Sequence, residues 1–195
     1  MRLVISDFIS LDGVAQAPGG QAEDTDGGFQ HGGWSMPHFD FTTMGAAVNE
    51  AIDTTAALLF GRRTWQTMAA AWPERAGDPF ADRMNALPKY VVSRTLTEEQ
   101  LTWGNTTLLG GDVAQAVGQL KQQPGGDIQV MGSLTLARSL ISAGLVDEYR
   151  LMIEPVILGG GKRVFPDDGT QRTLELVSVT TASTGVQICV YRRKS

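Results

Sequence analysis

Three short apolar runs, each of which leads into glycine or serine, constrain the fold of this chain more than any other feature. They are Leu59-Phe60-Gly61-Arg62, Val91-Val92-Ser93-Arg94 and Val130-Met131-Gly132-Ser133. Apolar runs of this length, separated by helical patterns, are typical of buried strands in an α/β sheet. Ligands of open α/β sheets bind outside the carboxyl ends of the strands, where the chain turns into helices. The repetition therefore predicts a ligand site that is built from three strand ends.

The rest of the pattern predicts an α/β chain that ends in an antiparallel pair of strands. Residues 2–9 form an apolar run, and a proline suits the first turn of a helix over residues 37–54. Residues 172–181 and 185–193 are expected to pair, and the second of them alternates between apolar and polar side chains. Neither an internal repeat nor a linker interrupts the pattern, so we expect a single domain over residues 1–195.

Composition and charge argue against several classes of protein. Hydrophobic residues make up 42% of the chain and charged residues 19%, which permits a sizeable core. The formal net charge of -5 argues against a general nucleic-acid binder, but it permits a local basic pocket for one phosphate group. Cys189 is the only cysteine, and His31 and His38 lack metal-like spacing, so we expect neither a disulfide framework nor a metal site. No apolar stretch approaches the ~20 residues of a membrane span, and we expect a cytoplasmic protein.

The residues at the three strand ends suit a dinucleotide. Gly61 and Gly132 would let a ligand approach the backbone closely. A helix that starts near Ser133 would present free N–H groups and the positive end of its dipole to a pyrophosphate. Arg62 and Arg94 could then bind a further phosphate through forked, charge-assisted hydrogen bonds. An added ribose phosphate distinguishes NADPH from NADH, and together the three strand ends favour a dinucleotide site.

Four segments, taken together, resemble known reductases. Phe60-Gly61-Arg62-Arg63-Thr64-Trp65 is similar to the Gly-Arg-x-Thr-Trp segment of dihydrofolate reductases, and Val130-Met131-Gly132-Ser133 is similar to their glycine-rich cofactor turn. Ser10-Leu11-Asp12-Gly13 and Pro155-Val156-Ile157-Leu158-Gly159-Gly160-Gly161 are more similar to the reductase domain of the bifunctional riboflavin deaminase-reductases. In this order and spacing, the segments make the chain resemble the dihydrofolate reductase-like reductases of the RibD C-terminal family.

That resemblance implies a dihydrofolate reductase-like α/β fold, with a mixed, mostly parallel central sheet flanked by helices and a C-terminal antiparallel hairpin. It also implies NADPH as hydride donor and a homodimer. The residues that it places around the cofactor are Gly61, Arg62 and Thr64 at the phosphates, Ser93 and Arg94 at the adenosine 2′-phosphate, Gly132, Ser133 and Leu134 around the pyrophosphate, and Val14 and Ala15 beside the nicotinamide. Asp12 would lie near the nicotinamide and the substrate.

The expected substrate half departs from the family's pattern. Folate reductases carry an acidic residue about sixteen positions before the Gly-Arg pair, and Gly45 stands there in this chain. Asp40 is the nearest carboxylate upstream, so Asp12 and Asp40 are the candidate catalytic residues. A buried carboxyl with a raised pKa could relay a proton to a substrate nitrogen. A solvated helix residue is the alternative for Asp40, and an ordinary Asp-Gly turn is the alternative for Asp12.

Five further residues are candidates for substrate binding. Trp34 and Phe39 could stack on a planar heterocycle, although aromatic residues more often serve as core. Glu154 ends a strand that faces the same region. Gly159 and Gly160 would either let the backbone approach the substrate or close a tight strand connection.

These patterns predict an NADPH-dependent reductase that transfers a hydride to a C=N or C=O bond of a small pterin-like or folate-like heterocycle. Two alternatives remain open. The chain could be the reductase of riboflavin biosynthesis that acts on a ribosylamino-pyrimidine, although no His/Cys zinc motif of a deaminase accompanies it. It could also bind NADPH with little or no turnover, because the helix acid is missing at Gly45. The expected partner is a small-molecule substrate, with no nucleic acid and no membrane, and the loop over residues 16–35 is either a lid or a surface insertion.

Overall fold

The computed structural model describes residues 1–194, and within them eight strands form one sheet. The strands are β1 (Arg2–Ser10), β2 (Thr55–Gly61), β3 (Lys89–Val92), β4 (Thr106–Leu109), β5 (Asp127–Met131), β6 (Glu148–Glu154), β7 (Leu174–Thr181) and β8 (Gln187–Arg193). Their spatial order is β4-β3-β2-β5-β1-β6-β8-β7. The central strands are nearly continuous apolar runs, which is typical of parallel strands that are covered on both faces.

The pairing makes six strands parallel and places their carboxyl ends at one edge of the sheet. Strands β1 to β6 pair in parallel, whereas β8 is antiparallel to both β6 and β7. This mixed, mostly parallel sheet with antiparallel C-terminal strands confirms the predicted fold class. β1 continues beyond its neighbour, because its pairing with β5 ends at Ser6 and Met131 while its pairing with β6 continues to Ser10 and Glu154.

Helices of the described chain cover the two faces of this sheet. They are α1 (Thr43–Asp53), α2 (Arg62–Ala71), α3 (Pro79–Ala86), α4 (Val113–Lys121) and α5 (Leu134–Ser142). Asp78 and Asp112 cap α3 and α4 by accepting hydrogen bonds from N–H groups of the first turn. Among residues 1–194, no helix combines the length and the apolar character that crossing a bilayer requires.

Alternate residues of the central strands enter separate cores. Leu59 of β2 belongs to the core against α4 and α5, whereas Leu58 and Phe60 pack on the opposite face with Trp65 of α2. Successive side chains of a strand point to opposite faces, so one apolar run serves both cores. Each of these fully buried apolar side chains contributes about 1.5–3 kcal/mol to the free energy of unfolding.

The predicted helix over residues 37–54 begins later than expected. Pro37 lies in a separate 3-10 turn, after which Phe39 is extended with φ of -69° and ψ of 117°. α1 begins at Thr43, whose backbone N–H donates a hydrogen bond of 3.0 Å to the carboxylate of Asp40. The carboxylate satisfies an N–H group that the helix itself leaves free, and this stabilises the later start.

Candidate functional site

The starts of α2 and α5 lie side by side at the carboxyl edge, because β2 and β5 are neighbours in the sheet. Gly61 is extended before α2, whereas Gly132 and Ser133 are left-handed before Leu134 begins α5, with φ of 73° and 61°. A serine in this conformation is uncommon and costs free energy. No side chain in the described chain caps either helix, so both first turns keep free backbone N–H groups at this edge.

A hydrogen bond of 2.6 Å joins the two helix starts, from the backbone N–H of Gly61 to Oγ of Ser133. A Cβ atom at position 61 would lie only 3.1 Å from that oxygen, and one at position 132 would lie 3.4 Å from Cγ2 of Thr64. Glycine therefore leaves the space that the backbone needs to form a shallow cradle. Free N–H groups around a cradle at two helix N-termini suit a pyrophosphate.

Two arginines lie beside this cradle, where a further phosphate was expected. Arg62 follows β2 and Arg94 follows β3, and both are exposed. Within residues 1–194 neither pairs with a carboxylate, so both guanidinium groups remain available to an anion. Ser93 is buried, and its hydroxyl accepts hydrogen bonds from the N–H groups of Thr95 and Leu96, which closes the turn after β3.

The residues expected beside the nicotinamide are held in the loop after β1. Val14 and Ala15 are both buried. The N–H of Val14 donates to Oγ of Ser10, and the N–H of Ala15 donates to the carbonyl of Lys162, each at 2.9 Å. These bonds fix the beginning of the loop against the segment that follows β6.

Asp12, which was expected to be catalytic, also joins the loop after β1 to the segment that follows β6. Its carboxylate accepts hydrogen bonds from the hydroxyl of Ser10 at 2.6 Å and from the N–H groups of Leu158 and Gly159 at 3.1 and 3.0 Å. These donors lower the pKa of Asp12 to about 2, with Ser10 as the largest cause. An ionised carboxylate with three donors suits a structural brace, and it does not suit a proton donor at neutral pH.

The carboxylate of Asp40, the second expected catalytic residue, is also surrounded by hydrogen-bond donors. Its carboxylate accepts hydrogen bonds from the hydroxyl of Ser183, at 2.7 Å, and from N–H groups at the start of α1. The Ser183 hydroxyl and these N–H groups hold the pKa of Asp40 well below its usual range. Asp40 therefore joins α1 to the β7–β8 turn. Its carboxylate is ionised and has no proton to donate to a substrate.

Glu154 lies deeper than a substrate contact should. Its side chain is fully buried, and one carboxylate oxygen accepts a hydrogen bond from the hydroxyl of Ser35. Burial raises the pKa of Glu154 to about 7, although Ser35 opposes the shift. The carboxyl thus faces the loop over residues 16–35, and no open cavity touches it among those described.

The two aromatic candidates are packed into the fold. Trp34 is buried, and its indole N–H donates to the carbonyl of Gln16 at 2.8 Å. Phe39 packs against Phe8 with 6.3 Å between the ring centres. Both rings lie near the loop, and neither presents an open face within a described cavity.

The remaining candidates, Gly159 and Gly160, are exposed in the segment after β6. Gly159 is left-handed with φ of 75°, which suits a tight connection. The neighbouring Gly161 is the crowded position, since a Cβ atom there would lie 2.8 Å from both Phe29 and Val14. This contact and the ion pairs of Lys162 with Asp24 and Asp26 pack the loop over residues 16–35 onto the segment after β6.

A groove of about 600 Å³ runs between α1 and the sheet. Its middle is apolar, with Phe8, Met131 and Met152 among its lining. Ser6 lies at the end of the groove that adjoins Gly132, because its partner Met131 ends β5 while β1 continues. The next side chain, Asp7, points to the opposite face of the sheet, which α5 covers. The groove therefore opens beside the cradle that the helix starts form.

Asp7 is a site residue that the sequence motifs do not reveal. Oδ1 accepts a hydrogen bond of 3.2 Å from the N–H of Gly132, while Oδ2 is buried without a partner. Burial raises the pKa of Asp7 to about 7, and the Gly132 N–H opposes the shift. The available signal was a lone acidic residue inside the apolar run of β1, since an unpaired charge is rarely buried without a function.

Together, the sheet order, the antiparallel C-terminal strands and the flanking helices define a dihydrofolate reductase-like fold, with the uncapped helix starts and the adjoining groove at its carboxyl edge. Comparison with known sequences gives the family. The model of the RibD C-terminal domain matches residues 2–188, so the chain belongs to that family of reductase-like proteins. The uncharacterised protein YyaP of Bacillus subtilis (strain 168) is 31% identical over 197 residues, which cover 97% of this chain and 94% of that protein.

Solved structures share the fold at low sequence identity. A putative riboflavin biosynthesis protein from Shewanella sp. PV-4 superposes with a TM-score of 0.77 at 17% identity, with both chains fully covered. A pyrimidine reductase-like protein from Corynebacterium diphtheriae gives 0.67 at 15% identity, covering 100% of this chain and 92% of that one. A Thermotoga maritima diaminohydroxyphosphoribosylaminopyrimidine deaminase/5-amino-6-(5-phosphoribosylamino)uracil reductase gives 0.64 at 14% identity, covering 99% of this chain but 56% of that one.

Proposed function

We propose that this protein is an NADPH-dependent reductase that adds a hydride to a C=N or C=O bond of a small nitrogen heterocycle. The observation that carries the proposal is the pair of uncapped helix starts, α2 and α5, joined by the bond from Gly61 to Ser133. Two helix N-termini at one glycine-bearing cradle favour a dinucleotide pyrophosphate over a neutral ligand. Membership of a reductase-like family supports the same reading.

NADPH is favoured over NADH because of the two unpaired arginines. The first turns of α2 and α5 would bind the pyrophosphate, and Arg62 and Arg94 would bind the 2′-phosphate through charge-assisted hydrogen bonds. Val14 and Ala15 would line the nicotinamide side, and bound NADPH would supply the hydride. The loop that Val14 begins is fixed by its contacts to Lys162, so it would orient the ring and exclude water from it.

The substrate is proposed from the groove and from the relatives. The groove is large enough for a pterin or a pyrimidine with a side chain, and it opens next to the cofactor cradle. Two structural relatives are described as pyrimidine reductases or reductase-like, which favours a pyrimidine or pterin ring. A ribosylamino-pyrimidine of riboflavin biosynthesis is the second candidate, supported by the description of the Shewanella relative.

We further propose a cytoplasmic homodimer. β7 is an edge strand, and Leu176, Val177 and Val179 on it are exposed by 51%, 44% and 51%. An exposed apolar edge strand is a ready template for pairing with another chain. Sedimentation of the wild type as a dimer and of Val179→Lys as a monomer would support this assembly, and a wild-type monomer would exclude it.

The decisive experiment is a titration of the purified protein with NADPH and, in parallel, NADH, followed by tryptophan fluorescence. Micromolar binding with a clear preference for NADPH is the expected result, and loss of NADPH absorbance with dihydrofolate, a dihydropterin or a ribosylamino-pyrimidine would then identify the substrate. Tight NADPH binding without turnover across such a panel would favour the nucleotide-binding alternative. Absence of binding by either nucleotide would contradict the proposal.

A further inference from the structure

The hydroxyl of Ser6 is a polar group at the groove that nothing in residues 1–194 satisfies. Its Oγ is buried and has no hydrogen-bond partner in this part of the chain. Ser6 is also one of the residues that line the groove between α1 and the sheet. Native proteins keep few buried polar atoms without a partner, and a ligand or an ordered water commonly completes them.

The alternation of side chains along β1 places Ser6 on the face of the sheet that bears the groove. Ile5 and Ile9 belong to the core against α4 and α5, whereas Phe8 packs with Met44 of α1. Successive side chains of a strand point to opposite faces, so Ser6 shares the α1 face with Phe8, two residues later. The side chain of Ser6 therefore lies on the floor of the groove.

The neighbours of Ser6 in the sheet explain why its hydroxyl is free. Met131 of β5 lies on one side of it, and a thioether sulfur is only a weak acceptor. Arg150 of β6 lies on the other side, but its guanidinium group donates to Glu148 and to Asp127, each at 2.8 Å. The fold thus supplies no strong partner for this hydroxyl.

The groove around Ser6 has the chemistry of a slot for a flat ring. On the α1 side it is lined by the small side chains of Ala46 and Ala47, which leave room between the helix and the sheet. On the sheet side, Met131 and Met152 are among the lining residues, and thioether groups make favourable contacts with aromatic rings. An apolar slot with a few polar groups is typical of a small-molecule site.

Ser6 lies at the end of the groove where the cofactor is proposed to bind. Its partner in the sheet, Met131, is the last residue of β5, and Gly132 follows at the cradle proposed for the pyrophosphate. A ring that is held at Ser6 would therefore lie beside the cofactor, where a reducible bond has to be placed.

We propose that the Ser6 hydroxyl donates a hydrogen bond to an acceptor atom of a pterin-like ring in the groove and so positions the ring for reduction. The inference rests on the proposed function, which makes this end of the groove the reactive one. The hydroxyl turns about a single bond and has no internal hydrogen bond to lose, so a ligand can recruit it although Oγ is covered in the free protein. Ser6 is thus a positioning residue that sets the orientation of the substrate.

The test is the affinity of pterin, a fluorescent nitrogen heterocycle, for the full chain in the presence of saturating NADP+. We expect Ser6→Ala to weaken pterin binding by about five- to tenfold, because one hydrogen bond in a buried site is lost. Ser178→Ala is the matched control, since Ser178 also lines the groove but is exposed on β7, and it should change the affinity by less than about twofold. NADPH affinity is measured on each variant, so that failure of the nucleotide site is recognised separately.

Urea unfolding without ligand gives a second readout, which a purely structural role of the hydroxyl would reverse. Ser6→Ala should raise the urea midpoint, because it removes a buried polar group that has no partner. A lowered midpoint would show that the hydroxyl serves the fold, and it would overturn the proposal. So would equal pterin affinity of Ser6→Ala and the wild type, or a wild type that binds NADPH but not pterin. A wild type that does not bind NADPH would overturn the proposed function and this inference with it.

Discussion

Asp7 and Glu154 are two buried carboxyls that share most of their chemistry. They lie on the neighbouring strands β1 and β6, each has one hydrogen-bonded and one free oxygen, and burial raises the pKa of each to about 7. They differ in the face of the sheet on which they lie. Asp7 lies on the face that α5 covers, where the N–H of Gly132 bonds to it, whereas Glu154 lies on the α1 face under the loop that carries Ser35. Desolvation alone therefore does not identify a catalytic group, because both free oxygens are buried.

The loop contacts explain why Glu154 is closed off. Trp34 bonds to the carbonyl of Gln16, and Lys162 pairs with Asp24 and Asp26 at 2.7 and 2.9 Å. These contacts join the loop to itself and to the segment after β6, directly above the end of β6. We therefore assign Glu154 to holding the loop over residues 16–35.

The largest expected effect concerns the cofactor cradle, which Asp7 contacts through Gly132 and which Glu154 does not touch. Replacing Arg62 or Arg94 with Ala should weaken NADPH binding by about 10- to 100-fold and leave NADH nearly unchanged, since a charge-assisted bond to the 2′-phosphate is lost. Arg63→Ala is the matched control, because Arg63 lies in the same helix turn but pairs with Asp26 at 3.4 Å. Fluorescence titration measures the affinities, and equal losses for both nucleotides would remove these arginines from the 2′-phosphate.

Glu154 should show its role in stability. Its pKa is raised in the folded state, so its contribution to the free energy of unfolding is fully present below about 4.5 and is lost as the pH rises through about 7. Glu154→Gln keeps an acceptor for Ser35 and removes the titration, so it should gain about 1–3 kcal/mol over the wild type at pH 8.5. Urea unfolding from pH 5 to 8.5 measures this difference. If the two proteins lose stability in parallel, Glu154 is not the titrating group.

Asp12 should give the smallest effect, because it only braces the loop beside the site. Asp12→Asn replaces one carboxylate oxygen with an amide NH2 and should lose about 1 kcal/mol of local stability. Turnover should fall while cofactor affinity stays nearly unchanged. Amide hydrogen exchange of Leu158 and Gly159, which donate to Asp12 at 3.1 and 3.0 Å, measures the loosening. Unchanged exchange would mean that the brace is not needed.

Much of the fold could be predicted from local patterns. The apolar run that includes Val91 and Val92 ends β3, and the Thr-x-x-Gln pattern of Thr97 and Gln100 forms a capping box. Asp112 caps α4 as its position suggests. Strand periodicity and capping depend on neighbours in sequence, so a single chain reveals them. α3 has no such prediction, and its apolar face shows only once Met84 packs against the sheet.

The sequence by itself determined the α/β fold class, the strand ends that form the carboxyl edge, and the glycines and arginines that flank it. Only the tertiary structure decided which acidic residues are buried and which are held by donors. Asp12 and Asp40 lie near the expected site in sequence, yet N–H and O–H donors hold both of them ionised. The environment of Asp7 depends on Gly132, 125 residues later, whose N–H donates to it, and on the ending of β5 beside it. A carboxyl's pKa and access depend on burial and on partners distant in sequence, which no local pattern records.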